Sequence, residues 1–145
     1  MKDSKYSNLK LFLNTISIIL LGFGWYYQEM TAAIGGAMFH ILNILVGLLF
    51  MILKSKQFQK DNSVEMPNTL TDKISYIIEC VLVFTSLIVL GSKNELFLLP
   101  GQIIWGGQMI MFALIGPILE NFAGIPMRMT YGGWRVGRHR KTRKH

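Results

Sequence analysis

Charge is scarce in this sequence. Only 16% of the 145 residues are charged, whereas 51% are hydrophobic, and a soluble domain carries roughly 25% charged residues. The mean hydropathy is +0.37. This composition excludes a soluble enzyme, a disordered segment and a collagen-like fibre. It predicts that most of the protein surface contacts lipid.

Cysteine is rarer still, because the sequence contains one, Cys80. A single cysteine excludes a scaffold of internal disulfides, and we expect Cys80 to be a small packing residue. The sequence also lacks a Walker loop, a glycine-rich dinucleotide turn, a His/Cys metal cluster and a Ser-His-Asp set. We therefore expect no catalysis, no cofactor and no metal site.

The sequence does contain four long apolar stretches. About 20 apolar residues span a bilayer as a helix, so each stretch is long enough to cross once. We predict an all-α integral membrane protein with four transmembrane helices, arranged as two antiparallel hairpins within a membrane domain of residues 1–127. The predicted spans are residues 11–27, 30–53, 74–92, and 96–119 or 102–122.

The start of the fourth span has two interpretations. Residues 98–101, Leu-Leu-Pro-Gly, are a potential helix breaker. In the version we prefer, residues 95–99 lie along the outer interface and the helix begins near Gln102. Trp105 then joins Trp25 in an aromatic belt at the outer membrane surface. Pro117 is expected to kink the inner end of this helix.

Basic residues predict the orientation. Of the 15 lysines and arginines, all except Lys93 precede the first span, lie in the loop of residues 54–73, or follow the fourth span. Because basic residues favour the cytoplasmic side, both termini and this loop should be cytoplasmic. Thr71 or Asp72 is the predicted N-cap of the third helix. We expect a bacterial cytoplasmic membrane, with an organellar inner membrane as the alternative.

Polar residues inside the predicted spans are the candidate functional residues. At ~1.5 Å per helical residue, five of them fall near the middle of a ~30 Å core and form a possible midplane ring. Glu79 lies roughly 9 Å above the inner boundary by the same rise. We expect it to reach lipid headgroups or to pair with Arg128. The full candidate set is His40, Asn43, Glu79, Thr85, Ser86 and Gln108.

Two interpretations of this set remain open. Such side chains hydrogen-bond between helices in many membrane proteins that transport nothing. Alternatively, they line a transport path in which Glu79 exchanges protons, since an intramembrane acid usually faces a partner or a water-filled cavity. Small residues on the second span, Ala32, Gly36 and Gly47, predict a close helix contact, either inside the bundle or between copies.

The net charge of +7 resides in a basic cytoplasmic tail, residues 128–145. Attraction to anionic inner-leaflet lipid explains this tail without a further partner. Docking on an acidic protein or a larger complex is the second interpretation, and nucleic acid is the least favoured. The basic residues are Arg128, Arg135, Arg138, Arg140, Lys141, Arg143 and Lys144.

These features predict a non-catalytic, multi-pass subunit of a larger membrane assembly, whose tail binds anionic lipid or a partner. The alternative is a small oligomeric transporter or channel that uses the midplane ring and Glu79. A third possibility is a phage-type membrane-permeabilising protein, for which hydrophobic hairpins and a charged tail also suffice.

Overall fold

The computed structural model describes residues 3–60, 69–91, 95–122, 127–130 and 133–136. The described residues up to 122 are almost entirely helical, as predicted. The helices are α1 (Asp3–Tyr27), α2 (Met30–Lys60), α3 (Leu70–Leu90), α4 (Glu95–Ile110), a π-helical segment (Met111–Ile115) and α5 (Gly116–Asn121). A short antiparallel hairpin follows, formed by β1 (Met127–Thr130) and β2 (Gly133–Val136).

The four long helices form a square bundle. Helix α1 packs beside α2 and α3, and α4 packs beside the same two helices. The two sequential pairs, α1–α2 and α3–α4, therefore lie side by side. This arrangement places one face of each helix in a shared interior.

Three helices in the described part are long and apolar enough to cross a membrane: Ser4–Tyr27, Met30–Lys54 and Leu98–Asn121. They correspond to the first, second and fourth predicted spans. The third predicted span lies on the 21-residue helix α3, which is not among these three. Helix α2 continues to Lys60, so the first part of the expected loop of residues 54–73 is helical.

A tight turn joins α1 to α2. Gln28 has a φ of 56°, and the backbone N–H of Glu29 donates to the carbonyl of Gly24 at 2.7 Å. This is the Schellman arrangement, in which a left-handed residue ends a helix. The carbonyl of Glu29 then accepts from the N–H of Ala33 at 3.2 Å, so α2 begins at once.

The N-cap of α3 is Thr69, and the prediction of Thr71 or Asp72 is wrong. The Thr69 N–H and hydroxyl both donate to Oδ2 of Asp72 at 2.9 Å. The Asp72 N–H in turn donates to Oγ1 of Thr69 at 3.4 Å. This reciprocal pattern is a capping box. Its sequence signal, a threonine followed three residues later by an acid, lies just before the expected start.

Helix α4 is continuous through Pro100, so the helix break expected at residues 98–101 is not present. Pro100 has no N–H, so it removes one backbone hydrogen bond from this helix. A Cβ added at Gly101 would lie 3.2 Å from Cγ of Leu90 and 3.3 Å from the carbonyl of Ser86. Gly101 therefore permits a close approach of α3 and α4 beside the proline.

The irregularity of this helix lies further along the chain. The backbone N–H of Gly116 donates to the carbonyl of Met111, five residues earlier, which defines the π-helical segment. Pro117 follows in the first turn of α5 and has no N–H to donate. The distortion that the sequence predicts at Pro117 thus takes the form of a widened turn.

The distribution of side chains is inverted relative to a soluble protein. Among the side chains that the structure describes, twelve polar or charged residues are buried, whereas the buried apolar side chains are those of ten hydrophobic residues and Pro100. Large apolar side chains cover the outside, including Ile19, Phe84 and Ile88, which are 60%, 65% and 74% exposed. A surface of this kind matches a hydrocarbon environment rather than water.

Candidate functional site in the polar interior

Polar side chains line the interior in a regular pattern. On α1 the buried residues Ser7, Lys10, Asn14 and Ser17 recur at alternating spacings of three and four, which places them on one helix face. On α3 the corresponding spacings are three, four and seven, which again place the residues on one helix face. The buried polar residues of α3 are Asp72, Ser75, Glu79 and Ser86.

The centre of this interior is an ion pair. Nζ of Lys10 lies 3.2 Å from Oε1 of Glu79, and their side chains are 9% and 4% exposed. The partner that the structure gives Glu79 is Lys10, whereas we expected a headgroup or Arg128. The pair links α1 to α3. Removing either partner would leave an uncompensated buried charge, so the link is costly to break.

Three side-chain amide contacts extend the pair. The Lys10 ammonium donates to Oδ1 of Asn43 at 3.4 Å, and Nδ2 of Asn43 donates to Oδ1 of Asn14 at 2.9 Å. Nδ2 of Asn14 donates to the carbonyl of Ser75 at 3.2 Å. This Lys10 network connects α1, α2 and α3.

A second polar contact lies between α2 and α4. Nε2 of His40 donates to Oε1 of Gln108 at 3.2 Å, and both residues are buried. Nδ1 of His40 has no hydrogen-bond partner among the described residues. The hydroxyl of Ser86 donates to the carbonyl of Leu82 within its own helix, and Thr85 is half-buried.

The candidate residues thus fall into two groups instead of one ring. His40 contacts Gln108, whereas Asn43 belongs with Lys10 and Glu79. Neither Ser86 nor Thr85 bridges the two groups through a hydrogen bond that we observe. What the geometry provides is a set of specific links between helices.

A third link lies near the N-terminal ends of α1 and α3. The hydroxyl of Ser7 donates to Oδ1 of Asp72 at 2.7 Å, and Asp72 is 1% exposed. With the cap bonds from Thr69, this carboxylate accepts three hydrogen bonds. Sequence reasoning missed Ser7, Lys10 and Asp72 as interior residues. Their three–four spacing was the available signal.

The predicted small-residue contact lies inside the bundle at Gly36. A Cβ there would come within 2.7 Å of the Ser17 carbonyl and of Cγ of Leu21, and the Ser17 hydroxyl donates to the Gly36 carbonyl at 2.7 Å. Ala32 and Gly47 are half-buried. Gly36 thus sets the close packing of α1 on α2.

We find no set of metal ligands in the described ranges, because no group of three His, Cys, Asp or Glu residues lies together there.

Part of the basic tail lies in the β1–β2 hairpin, where Arg128 and Arg135 occupy partner positions in the register. The hairpin itself lies beside α2, α5 and the π-helical segment. The other tail residues, Arg138, Arg140, Lys141, Arg143 and Lys144, lie outside the described residues.

Comparison with protein-family models, with curated proteins and with solved structures finds no match to this chain.

Proposed function

We propose that this protein is a non-catalytic subunit of a larger membrane assembly. It crosses a bacterial cytoplasmic membrane four times, with α3 as the third crossing and both termini inside. Its helical body packs against partner subunits, and its basic tail, residues 128–145, binds an acidic surface of lipid or protein.

The observation that carries the proposal is the internal pairing of the polar side chains. Lys10 pairs with Glu79, Asn43 with Asn14, and His40 with Gln108. Polar contacts used in this way stabilise a bundle in lipid. They leave apolar outer faces on every long helix, which suit lateral contact with lipid and with other transmembrane helices.

The charge of the tail also supports the proposal. All seven basic residues after Glu120 lie in a segment without an acidic residue. Each contributes ~1 kcal/mol of attraction when it lies near an anionic membrane surface. The remainder of the chain carries equal numbers of basic and acidic residues. The tail is therefore the part of the molecule suited to electrostatic docking.

Deleting residues 135–145 tests the docking role. We expect the truncated protein to insert normally but to lose its co-purifying chains after gentle detergent extraction. A matched variant keeps the length and replaces Arg138, Arg140, Lys141, Arg143 and Lys144 with glutamine, and it should behave like the deletion. Full retention of the co-purifying chains in both variants would overturn the docking role.

Cysteine accessibility tests the four crossings. In a Cys80→Ser background, single cysteines at residues 28 and 94 should react with a membrane-impermeant maleimide added to intact cells. Cysteines at residues 62 and 140 should react only after the membrane is permeabilised. Labelling of residue 94 from the same side as residue 62 would contradict a third crossing by α3.

Transport is the second candidate function, and the buried Lys10–Glu79 pair is the observation that favours it, because paired charges within spans often mark ion paths. The test is proton-driven flux in vesicles. Lys10→Met/Glu79→Gln removes both charges together, so the bundle keeps its balance. Loss of flux in a folded double variant would support transport, and unchanged flux would exclude Glu79 as the proton carrier.

A further inference from the structure

A cavity of about 200 Å³ lies between α3 and α4. Helix α3 contributes Glu79, Val83 and Phe84 to its lining, and α4 contributes Trp105, Gln108 and Met109. The cavity is partly open. Phe84 and Met109 are 65% and 45% exposed, so the mouth faces sideways from the bundle, where the surrounding surface is apolar.

The floor of the cavity is polar, in contrast to its walls. Glu79 and Gln108 are 3% and 4% exposed, and both line the cavity. The hydrogen bond from His40 engages Oε1 of Gln108, which leaves the Gln108 amide nitrogen as a donor for a ligand. Glu79 offers a carboxylate that accepts hydrogen bonds. An apolar pocket with a few convergent polar groups is the usual form of a ligand site.

The charge of the floor selects the kind of ligand. Lys10 neutralises Glu79 at 3.2 Å, so the site carries no net charge from this pair. A charged ligand would bring an uncompensated charge into a desolvated cavity, which is costly. A hydroxyl group costs less, because it is neutral and can both accept from an amide N–H such as that of Gln108 and donate to a carboxylate such as that of Glu79.

We propose that this cavity binds the hydroxyl head group of a neutral, lipid-soluble amphiphile. An engineered cavity of about 150 Å³ accommodates benzene, so the volume here admits a head group and the first few carbons of a chain. The rest of the chain leaves through the lateral mouth into lipid. This binding site is independent of the proposed subunit role, and its test requires no partner protein.

The test uses photolabelling of the full-length protein in lipid vesicles with a dodecan-1-ol analogue that carries a diazirine next to the hydroxyl end. Mass spectrometry should locate adducts on residues 79–84 and 105–109. Excess 1-dodecanol should suppress them at a concentration about fivefold or more below that of dodecane, the factor expected for the ~1 kcal/mol of one neutral hydrogen bond. Equal competition by dodecane would overturn the proposal.

Two matched variants locate the site. Val83→Phe adds a ring at the cavity wall and should abolish the adducts. Val81→Phe makes the same change at a position 47% exposed that does not line the cavity, and it should leave them intact. Adducts that persist in Val83→Phe, or that spread evenly over exposed residues such as Ile77 and Ile88, would contradict a specific site.

Discussion

At the scale of single residues, the Lys10–Glu79 pair is the strongest constraint on the bundle. Both side chains are almost wholly buried. The side chain of Asn43 makes a further contact to the Lys10 ammonium. Desolvation opposes the burial of both charges, and their attraction offsets this cost only while both are present. The main effect of the pair is therefore to determine which helices contact each other. Its contribution to net stability is smaller.

We predict that Lys10→Met or Glu79→Gln alone lowers the free energy of unfolding by ~3–5 kcal/mol, as expected for a broken buried pair. The double variant should recover most of this loss. Unfolding of the protein in mixed micelles measures all three variants. Lys5→Met on the exposed side of α1 is the control and should change little. Additive losses in the double variant would show that the two charges do not interact.

A second residue-scale prediction concerns the turn between α1 and α2. Gln28 adopts a left-handed conformation, which costs a non-glycine residue roughly 1–2 kcal/mol. Gln28→Gly should raise the free energy of unfolding by about 1 kcal/mol, because glycine adopts this conformation without steric cost. Gln102→Gly, within α4 and exposed, should lower it by a similar amount. A destabilising Gln28→Gly would contradict the assigned turn.

At the scale of elements, helix contacts are set by small residues and by polar residues spaced three and four apart. The interior face of α1 continues from Ser17 to Leu21 and Gly24, all buried. At Gly24 an added Cβ would meet the backbone N of Ala33 at 2.5 Å. Close backbone contact of this kind is typical of helices that associate in lipid.

Gly36 tests the α1–α2 contact. Gly36→Ala should destabilise the bundle by ~1–3 kcal/mol, as overpacking does, since its Cβ would overlap the Ser17 carbonyl. Gly22→Ala is the matched control, because no atom lies within 4 Å of a Cβ at that position. Thermal unfolding in detergent measures both. Equal melting temperatures for the two variants would show that α1 and α2 are not so close.

The sequence predicts the helices better than their contacts. Long apolar runs are a local property, so the approximate position of each predicted span agrees with a helix. The expected break at Pro100 is wrong because α4 is continuous through it, and the close approach of Gly101 to α3 is a tertiary contact that the local sequence does not show. The Lys10–Glu79 contact joins residues that are 69 positions apart in the sequence. No local sequence pattern predicts which distant side chains will contact each other.

At the scale of the whole molecule, the polar interior and the apolar exterior together account for the composition. Lys10 and Glu79 pair with each other inside the bundle, whereas many large apolar side chains lie on its outside. Aromatic residues gather at the C-terminal end of α1, where Tyr26 is 79% exposed and contacts Tyr27 edge-on. Such rings favour the interface between lipid and water.

The native mass of the protein, extracted gently from its own membrane, tests the proposed subunit role most directly. The chain itself contributes 16.5 kDa. We predict a larger particle that contains this chain together with other membrane proteins, which native mass spectrometry would identify. A particle composed of this chain alone, as a monomer or a homo-oligomer, would contradict the subunit role. A homo-oligomer would favour transport instead.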